Sequence, residues 1–473
     1  MRRLTAALGS EQRAWGVLLL AGALALSDAD LATVGAVASE LERSLHISDV
    51  QVGLLATATA LTGALATLPI GALTDRVPRV RLLMISVILW AAAMIAAAVS
   101  TSYPMLLASR VALGAVTATS GPTLASLTGD LFPARVRAKV YGWIIAGELL
   151  GGAVGLVAGG ALAGVTSWRA SFGVLAVPAL LLAWGLHRRL DEPRRRAPEP
   201  EPEVADEDHR RPDRPAAEAD AALVLKRDPA RMSLWAAVRY VLSIPTNRSL
   251  IGASALGYFF LGGVQTFAIV LLRHRFGIGQ AAASGLIGLV AISSVAGVLA
   301  GGRWVDRRLE AGHAAARVAF PTAAYLVAMV AFVPALLTPT LLVAMPLFCL
   351  GGAAVAATNP ALDAARLDVL PGRLWGRGEG VRTLLRQLAT AGAPVSFGLV
   401  SELLGSGGHG TALGGAHQVH GDLHDTFLVM LSVLALAAIV LARARKRYPR
   451  DVATAATSEA RLRGHTARGA EGG

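Results

Sequence analysis

Residues 71–81 read Gly-Ala-Leu-Thr-Asp-Arg-Val-Pro-Arg-Val-Arg, and residues 302–308 read Gly-Arg-Trp-Val-Asp-Arg-Arg. Each copy places a glycine four residues ahead of the aspartate of an Asp-Arg pair, and each closes a long apolar run. A feature repeated at corresponding places in two halves of a chain marks an internal duplication. Outward from these copies, apolar runs fall at roughly 14–38, 51–74, 82–100, 104–128, 140–163 and 168–187. After a polar gap they resume at roughly 248–272, 281–302, 317–336, 339–361, 379–403 and 426–444. A helix needs about 20 mostly apolar residues to cross a bilayer, and these runs match that length. The pattern predicts twelve membrane-spanning helices in two halves of six.

Composition agrees. Of 473 residues, 54% are hydrophobic and 16% charged, against about 25% charged in soluble domains. No charge occurs from Leu82 to Ser109 or from Val318 to Leu362. A water-soluble globule is excluded. The 51 glycines and 5% aromatic content suit closely packed helices and not a barrel. The expected fold is an all-α membrane protein with twelve transmembrane helices in two pseudo-symmetric six-helix bundles. The expected divisions are an N-terminal bundle (1–187), a linker (188–247), a C-terminal bundle (248–445) and a disordered tail (446–473).

The basic residues set the orientation. They gather before span 1 and after spans 2, 4, 8 and 12, whereas 405–425 holds no Lys or Arg. Basic loops stay inside, which predicts an inner (plasma) membrane protein with both termini cytoplasmic. This alternation also assigns the net charge of +12 to topology and excludes nucleic acid as a partner. The linker is rich in Pro and Glu after Arg194-Arg195-Arg196 and reads as disordered. Its far end, Ala230 to Ser243, interleaves Leu234, Trp235 and Val238 with Arg231 and Arg239, as in an amphipathic helix on a membrane surface. His409, His417, His420 and His424 sit in a Gly-rich loop with loose spacing, so no metal site is expected. The single Cys349 excludes an intrachain disulfide.

The first copy of the repeat resembles the signature of the major facilitator superfamily, the second copy resembles its degenerate partner, and Arg110-x-x-x-Gly114 resembles that superfamily's fourth-helix motif. The first half is most similar to the spinster branch. Asp30, then Asp49 in His-Ile-Ser-Asp, Gly53-Leu54-Leu55, Asp130-Leu131-Phe132, Arg137 and the glycines Gly151, Gly152 and Gly155 carry that likeness. In the second half Asp363, Pro371, Glu379 and Gly398 fall at matching spacings. Leu31 stands where the spinster pattern has Arg, and Thr117 where it has Glu. The resemblance implies a secondary transporter of lysolipid-like amphiphiles.

Ionisable groups inside a membrane are costly and are functional candidates. Asp30 is the expected proton carrier, paired with Arg110 across the cavity, with Glu148 as a second carrier and Arg386 as charge partner or headgroup site. Asp28, about 200° from Asp30 around the helix, is expected to face another helix. Asn359 and Gln265 are candidate hydrogen-bonding groups for a substrate. At the mouth, an aspartate can meet the positive N-terminal end of a facing helix. Asp75 is thereby expected on span 11 and Asp306 on span 5, with Gly71 and Gly302 permitting close approach. Arg76, Arg79, Arg307 and Arg382 complete the expected cytoplasmic gate. An acidic N-terminal half and an apolar C-terminal half would hold headgroup and tail respectively. No Ser-x-x-Lys, Walker-type Gly-rich loop or His-Glu-x-x-His occurs, so neither an enzyme nor a cofactor is expected, and the energy source is a proton gradient. The expected function is therefore a proton-coupled carrier, monomeric among membrane lipids, of an amphiphilic, lysophospholipid-like substrate. The alternatives are a proton-coupled exporter of drug-like molecules or small polar solutes, and a receptor or scaffold without transport.

Overall fold

The computed structural model describes residues 10–47, 49–193, 218–225, 229, 232–405 and 421–470. The first half comprises α1 (Glu11–Ala36), a short α2 (Ala38–Leu45), α3 (Asp49–Thr74), α4 (Arg79–Ala98), α5 (Tyr103–Thr117), α6 (Ser120–Leu131), α7 (Arg137–Val165) and α8 (Trp168–Arg189). A connecting helix α9 (Leu234–Ser243) leads to the second half. That half comprises α10 (Pro245–Phe276), α11 (Gln280–Glu310), α12 (Ala316–Leu337), α13 (Leu341–Val369), α14 (Trp375–Gly405) and α15 (Gly421–Arg445). A last helix, α16, runs over Tyr448–Ala470.

Ten of these helices are long and apolar enough to span a membrane. Two further spans bring the number to twelve, and each departs from the simple pattern for a visible reason. The fourth span is split into α5 and α6 at Ala118 and Thr119, just ahead of Gly121-Pro122, because proline cannot continue the helical hydrogen-bond ladder. The eleventh span, α14, has 31 residues and carries Arg377, Glu379, Arg382 and Arg386, which remove it from a purely apolar count. The third, fifth and eleventh spans start three to four residues earlier than the apolar runs, because their helices continue into the charged end of the bundle.

Within each half the helices approach backbone to backbone. Gly151 and Gly155 leave no room for a Cβ beside Ala25 and Ala29, which seats α7 directly on α1. Such small-residue contacts substitute for the hydrophobic drive that lipid does not provide.

The two halves meet at the arginine-rich end. Gly71 of α3 lies against the backbone of Gly376 in α14, and Gly302 of α11 against that of Ala138 in α7. At the other end, among the described residues, α1 and α10 make little or no contact. The molecule is therefore closed at its arginine-rich face and parted at the opposite one.

The tail differs from its expected disorder. Residues 448–470 are helical, and Tyr448, Asp451, Thr454 and Ser458 are buried. Tyr448 is held by Asp368, Asp451 by the Thr246 N–H, and Thr454 and Ser458 by the linker, so low hydrophobicity alone misread it. Of the linker, 194–217, 226–228 and 230–231 lie outside the described residues. Residues 218–225 pack against α16, and α9 occupies most of the expected amphipathic stretch, with Ala237 and Val241 buried and Trp235 exposed. His409, His417 and His420 also lie outside the described residues. Among the described residues no His/Cys/Asp/Glu cluster is arranged for a metal, and both ring nitrogens of His424 are engaged, by Asp425 and by the Leu336 carbonyl.

Candidate functional site

The two bundles enclose a cavity of about 260 Å³. Its lining residue Leu31 is 55% exposed. Helices α1, α3, α5, α6 and α7 form one wall, while α10, α13 and α14 form the other.

The charged residues fall into three groups. In the first, Arg110 donates to Asp30 at 2.8 Å, with exposures of 1% and 4%, and its guanidinium lies 4.7 Å from the centre of the Phe172 ring. Both partners belong to the N-terminal bundle. The pair ties α1 to α5 from within.

The second group is a buried ring of four. Arg366 reaches Asp363 at 3.1 Å and Glu379 at 2.5 Å, while Arg382 reaches Glu379 at 2.6 Å and Asp363 at 3.4 Å. Two cations and two anions neutralise one another between α13 and α14. The i,i+3 spacings of Asp363–Arg366 and Glu379–Arg382 put each pair on one helix face. Arg382 thus belongs to this ring and not, as expected, beside Asp75. Its helix begins at Trp375, so Arg382 sits two turns inside the helix, away from the first turn that Asp75 meets.

The third group is not neutralised by contact. Asp28, Glu148 and Arg386 all line the cavity, and among the described residues neither carboxylate has a cation within 4 Å. Asp28 packs one turn from Glu148: a Cβ on Gly152 would lie 3.7 Å from that of Asp28. The two carboxylates feel each other's charge and that of Arg386. Arg386 stacks 4.8 Å from the Tyr258 ring centre and donates to a Tyr258 hydroxyl at 3.3 Å. The expectation that Asp28 faces away from the cavity is corrected: the cavity wraps around α1, with Asp30 sealed against α5 and Asp28 presented towards α7.

Other expected residues move as well. Gln265 is exposed and Asn359 is buried, and neither lines the cavity, because a polar residue on an apolar helix does not reveal which face is inward. Gln387, one residue past Arg386, lines it instead, with a buried Oε1 that lacks a hydrogen-bond partner among the described residues. Tyr141 also lines it, 3% exposed, with its hydroxyl unpartnered. Tyr141 precedes Glu148 by seven residues, two helical turns on the same face, which is the signal that marks it in the sequence. The polar C-terminal wall also reverses the expected division. Leu24, Leu31, Val34, Ala56 and Ala60 make the N-terminal wall the more apolar one, whereas Tyr258, Arg386 and Gln387 face it.

At the closed end, Asp75 accepts hydrogen bonds from the backbone N–H groups of Gly376 at 2.9 Å and Arg377 at 3.1 Å, so it caps α14. Asp306 accepts from the Lys139 N–H at 2.7 Å, in the first turn of α7. The two copies of the repeat thus make the same contact across the interface in opposite directions. Arg79 is 2% exposed and pairs with Asp130 and Glu192 inside its own half, while Arg76 and Arg307 are exposed.

Relatives agree with this architecture. The sequence model of the Major Facilitator Superfamily matches residues 19–394, so the chain belongs to that family. Membership, with its apolar helices, makes it a multi-pass membrane protein of a transporter superfamily. An MFS-type transporter of Aspergillus terreus (strain NIH 2624 / FGSC A1156) is 34% identical over 145 residues, which cover 29% of this chain and 25% of that protein. The match thus spans about a quarter of the relative's length. Among solved structures, a bacterial homologue of the human lysosomal transporter Spinster, inward-facing and unoccupied, superposes with a TM-score of 0.58 at 21% identity, covering 93% of this chain and 98% of that one. The transporter FucP in its outward conformation superposes with a TM-score of 0.66 at 13% identity, covering 90% and 98%. These likenesses show the fold.

Proposed function

We propose that the protein is a secondary transporter that moves an amphiphilic, lysophospholipid-like molecule by alternating access, driven by a proton gradient. One observation carries this reading: Asp28 and Glu148 on one bundle and Arg386 on the other bound a single cavity without neutralising contacts. Groups that couple a proton to the rocking of two bodies must sit on both bodies, so that their separation changes with conformation. Asp30 and Arg110 do not meet that condition, because α1 and α5 move together. Proton coupling is therefore assigned to Glu148 with Asp28. When charged, these carboxylates attract Arg386; once protonated, they release it to an anionic headgroup.

The phosphate of the substrate would meet Arg386 beside Tyr258, since guanidinium groups match phosphate in shape and charge. Its acyl chain would lie along Leu31, Val34, Ala56 and Ala60. A broad, wholly apolar pocket would instead favour an exporter of drug-like molecules, and the charged wall of α14 speaks against it. In this reading the arginine-rich face is cytoplasmic, the membrane is the inner one, and the carrier is monomeric.

Reconstituted liposomes test the proposal. Lysophospholipid flux should rise at least several-fold when a proton gradient is imposed and collapse with a protonophore. Flux equal to that of empty liposomes across a lysolipid panel would overturn the substrate, and flux indifferent to the gradient would overturn the coupling.

A further inference from the structure

Neither the repeated aspartate caps nor the cavity accounts for α16, the half-buried helix after the last span. Its contacts lead to both caps. On one side, the Tyr448 hydroxyl donates to Asp368 at 2.6 Å. Asp368 pairs with Arg317 of the C-terminal bundle and, at 3.4 Å, with Arg137 at the start of α7 in the N-terminal bundle. Arg317 also donates to the Ala134 carbonyl and lies 3.9 Å from Asp306. That aspartate is the one that caps α7. Burial, first, and the Asp368 carboxylate hold the Tyr448 hydroxyl well above its ordinary range, so it remains a donor.

The other side runs through the linker. Thr454 and Ser458 on α16 accept hydrogen bonds from the backbone N–H groups of Asp220 at 2.8 Å and Leu225 at 3.1 Å. Leu225 and Leu462 close an apolar cluster with Ala237 of α9 and Leu374, the residue before α14. A little further along the linker, the Pro229 carbonyl accepts from Arg377 at 2.7 Å. Arg377 supplies one of the two N–H groups that hold Asp75.

We propose that α16 is a tie that holds both aspartate caps in register and thereby favours the conformation closed at the arginine-rich face, with Tyr448 as its positioning residue. The tie needs both bundles to be together, because Asp368 reaches Arg137 and Arg317 from opposite halves only when the face is shut. Breaking it removes a contact made in one conformation and not the other, which is what shifts a two-state population. The inference rests on the alternating-access reading.

The experiment uses the full-length chain with Cys349→Ser, and spin labels at Arg81→Cys and Ala314→Cys, two exposed positions on the arginine-rich face of opposite bundles. Pulsed dipolar spectroscopy in nanodiscs then reads a short, closed distance and a long, open one. Tyr448→Phe should raise the long-to-short ratio about tenfold, equivalent to about 1.4 kcal/mol. Ser458→Ala should raise it in the same direction through the linker arm. If Tyr448 acts through Asp306, Tyr448→Phe should add nothing on an Asp306→Asn background, a coupling that a merely structural role would not produce. Unchanged ratios in Tyr448→Phe and Ser458→Ala, while Asp75→Asn opens the face, would overturn the tie and leave alternating access standing. Failure of every variant, Asp75→Asn included, to populate a long distance would overturn both.

Discussion

Asp30 and Arg110 lie 2.8 Å apart, nearly sealed from solvent, and both belong to the same bundle. Membership decides their role. An ion pair inside one rigid body keeps its geometry while the two bodies rock, so it holds helices together without sensing conformation. The pair also carries a cost of desolvation that its Coulomb attraction offsets only while both partners remain.

Asp30→Asn should therefore behave as a stability variant. Leaving Arg110 buried against Phe172 without its carboxylate should cost about 3 kcal/mol, visible as a lower unfolding temperature in detergent. The pH dependence of transport should keep its shape. A pH profile displaced by this substitution would return the proton to Asp30.

Glu148→Gln should have the opposite signature. Removing the charge that attracts Arg386 across the cavity should leave folding intact and abolish gradient-driven accumulation, while downhill exchange of substrate persists. Asp28→Asn, one turn away on the facing helix, should reduce accumulation in part. Parallel uphill and exchange assays on the two variants check the assignment; undiminished accumulation in Glu148→Gln contradicts it.

Much of this was legible in the chain because bilayers impose a length and buried aspartates need donors. Twelve apolar runs near 20 residues correspond to twelve spans, the fourth of them as two helices, and an aspartate at a helix mouth had few partners other than the N–H groups that Asp75 and Asp306 meet. Facing was harder to read. Asp28 and Asp30 differ by a rotation that is clear in sequence, but how far the cavity wraps α1 depends on where Gly151 and Gly155 let α7 approach. Gln265 and Asn359 lie off the cavity lining for the same reason. The ring of Asp363, Arg366, Glu379 and Arg382 joins residues from two helices whose register no local pattern sets. Helix α16 was hidden because its buried residues include Asp451, Thr454 and Ser458, which read as polar until their partners Thr246, Asp220 and Leu225 are seen.

Arg386 provides a third test, of headgroup recognition. Arg386→Ala should weaken lysophospholipid binding about a hundredfold, in the range expected for a charge-assisted contact to phosphate. Arg386→Lys should recover little, because an ammonium cannot stack on Tyr258 and present a flat pair of donors together. Binding measured by fluorescence with a labelled lysolipid separates the two, and full recovery by lysine would reduce the site to a point charge.

The cap itself makes a fourth. Asp75→Asn keeps an oxygen that can accept from Gly376 or Arg377 but removes the charge that faces the N-terminus of α14 and Arg377, so the closed face should loosen by about 1 kcal/mol, the upper worth of a carboxylate at a helix N-terminus. Side-specific labelling of a cysteine placed at the cavity floor should then rise several-fold from the arginine-rich side. Unchanged labelling with intact transport would remove the gating role.

The last prediction separates closure from electrostatics. A Cβ on Gly71 would lie 2.6 Å from the Gly376 carbonyl oxygen, and one on Gly302 would lie 2.5 Å from the Ala138 carbonyl oxygen. Both obstructions are backbone, which no side-chain rearrangement relieves, and both exist only where the two bundles touch. Gly71→Ala and Gly302→Ala should thus destabilise the conformation closed at the arginine-rich face while sparing one in which α3 and α14 have parted. Alanine is also the better helix former by about 1 kcal/mol, so the fold itself should not suffer. The expected result is a shift of the spin-label distance distribution towards the long component for each variant, and a larger shift for the pair together. Transport should slow, because the face must close again in every cycle. A distribution that stays short in Gly71→Ala would mean that the helices tolerate the methyl group by sliding, and that the glycine is no part of the closure.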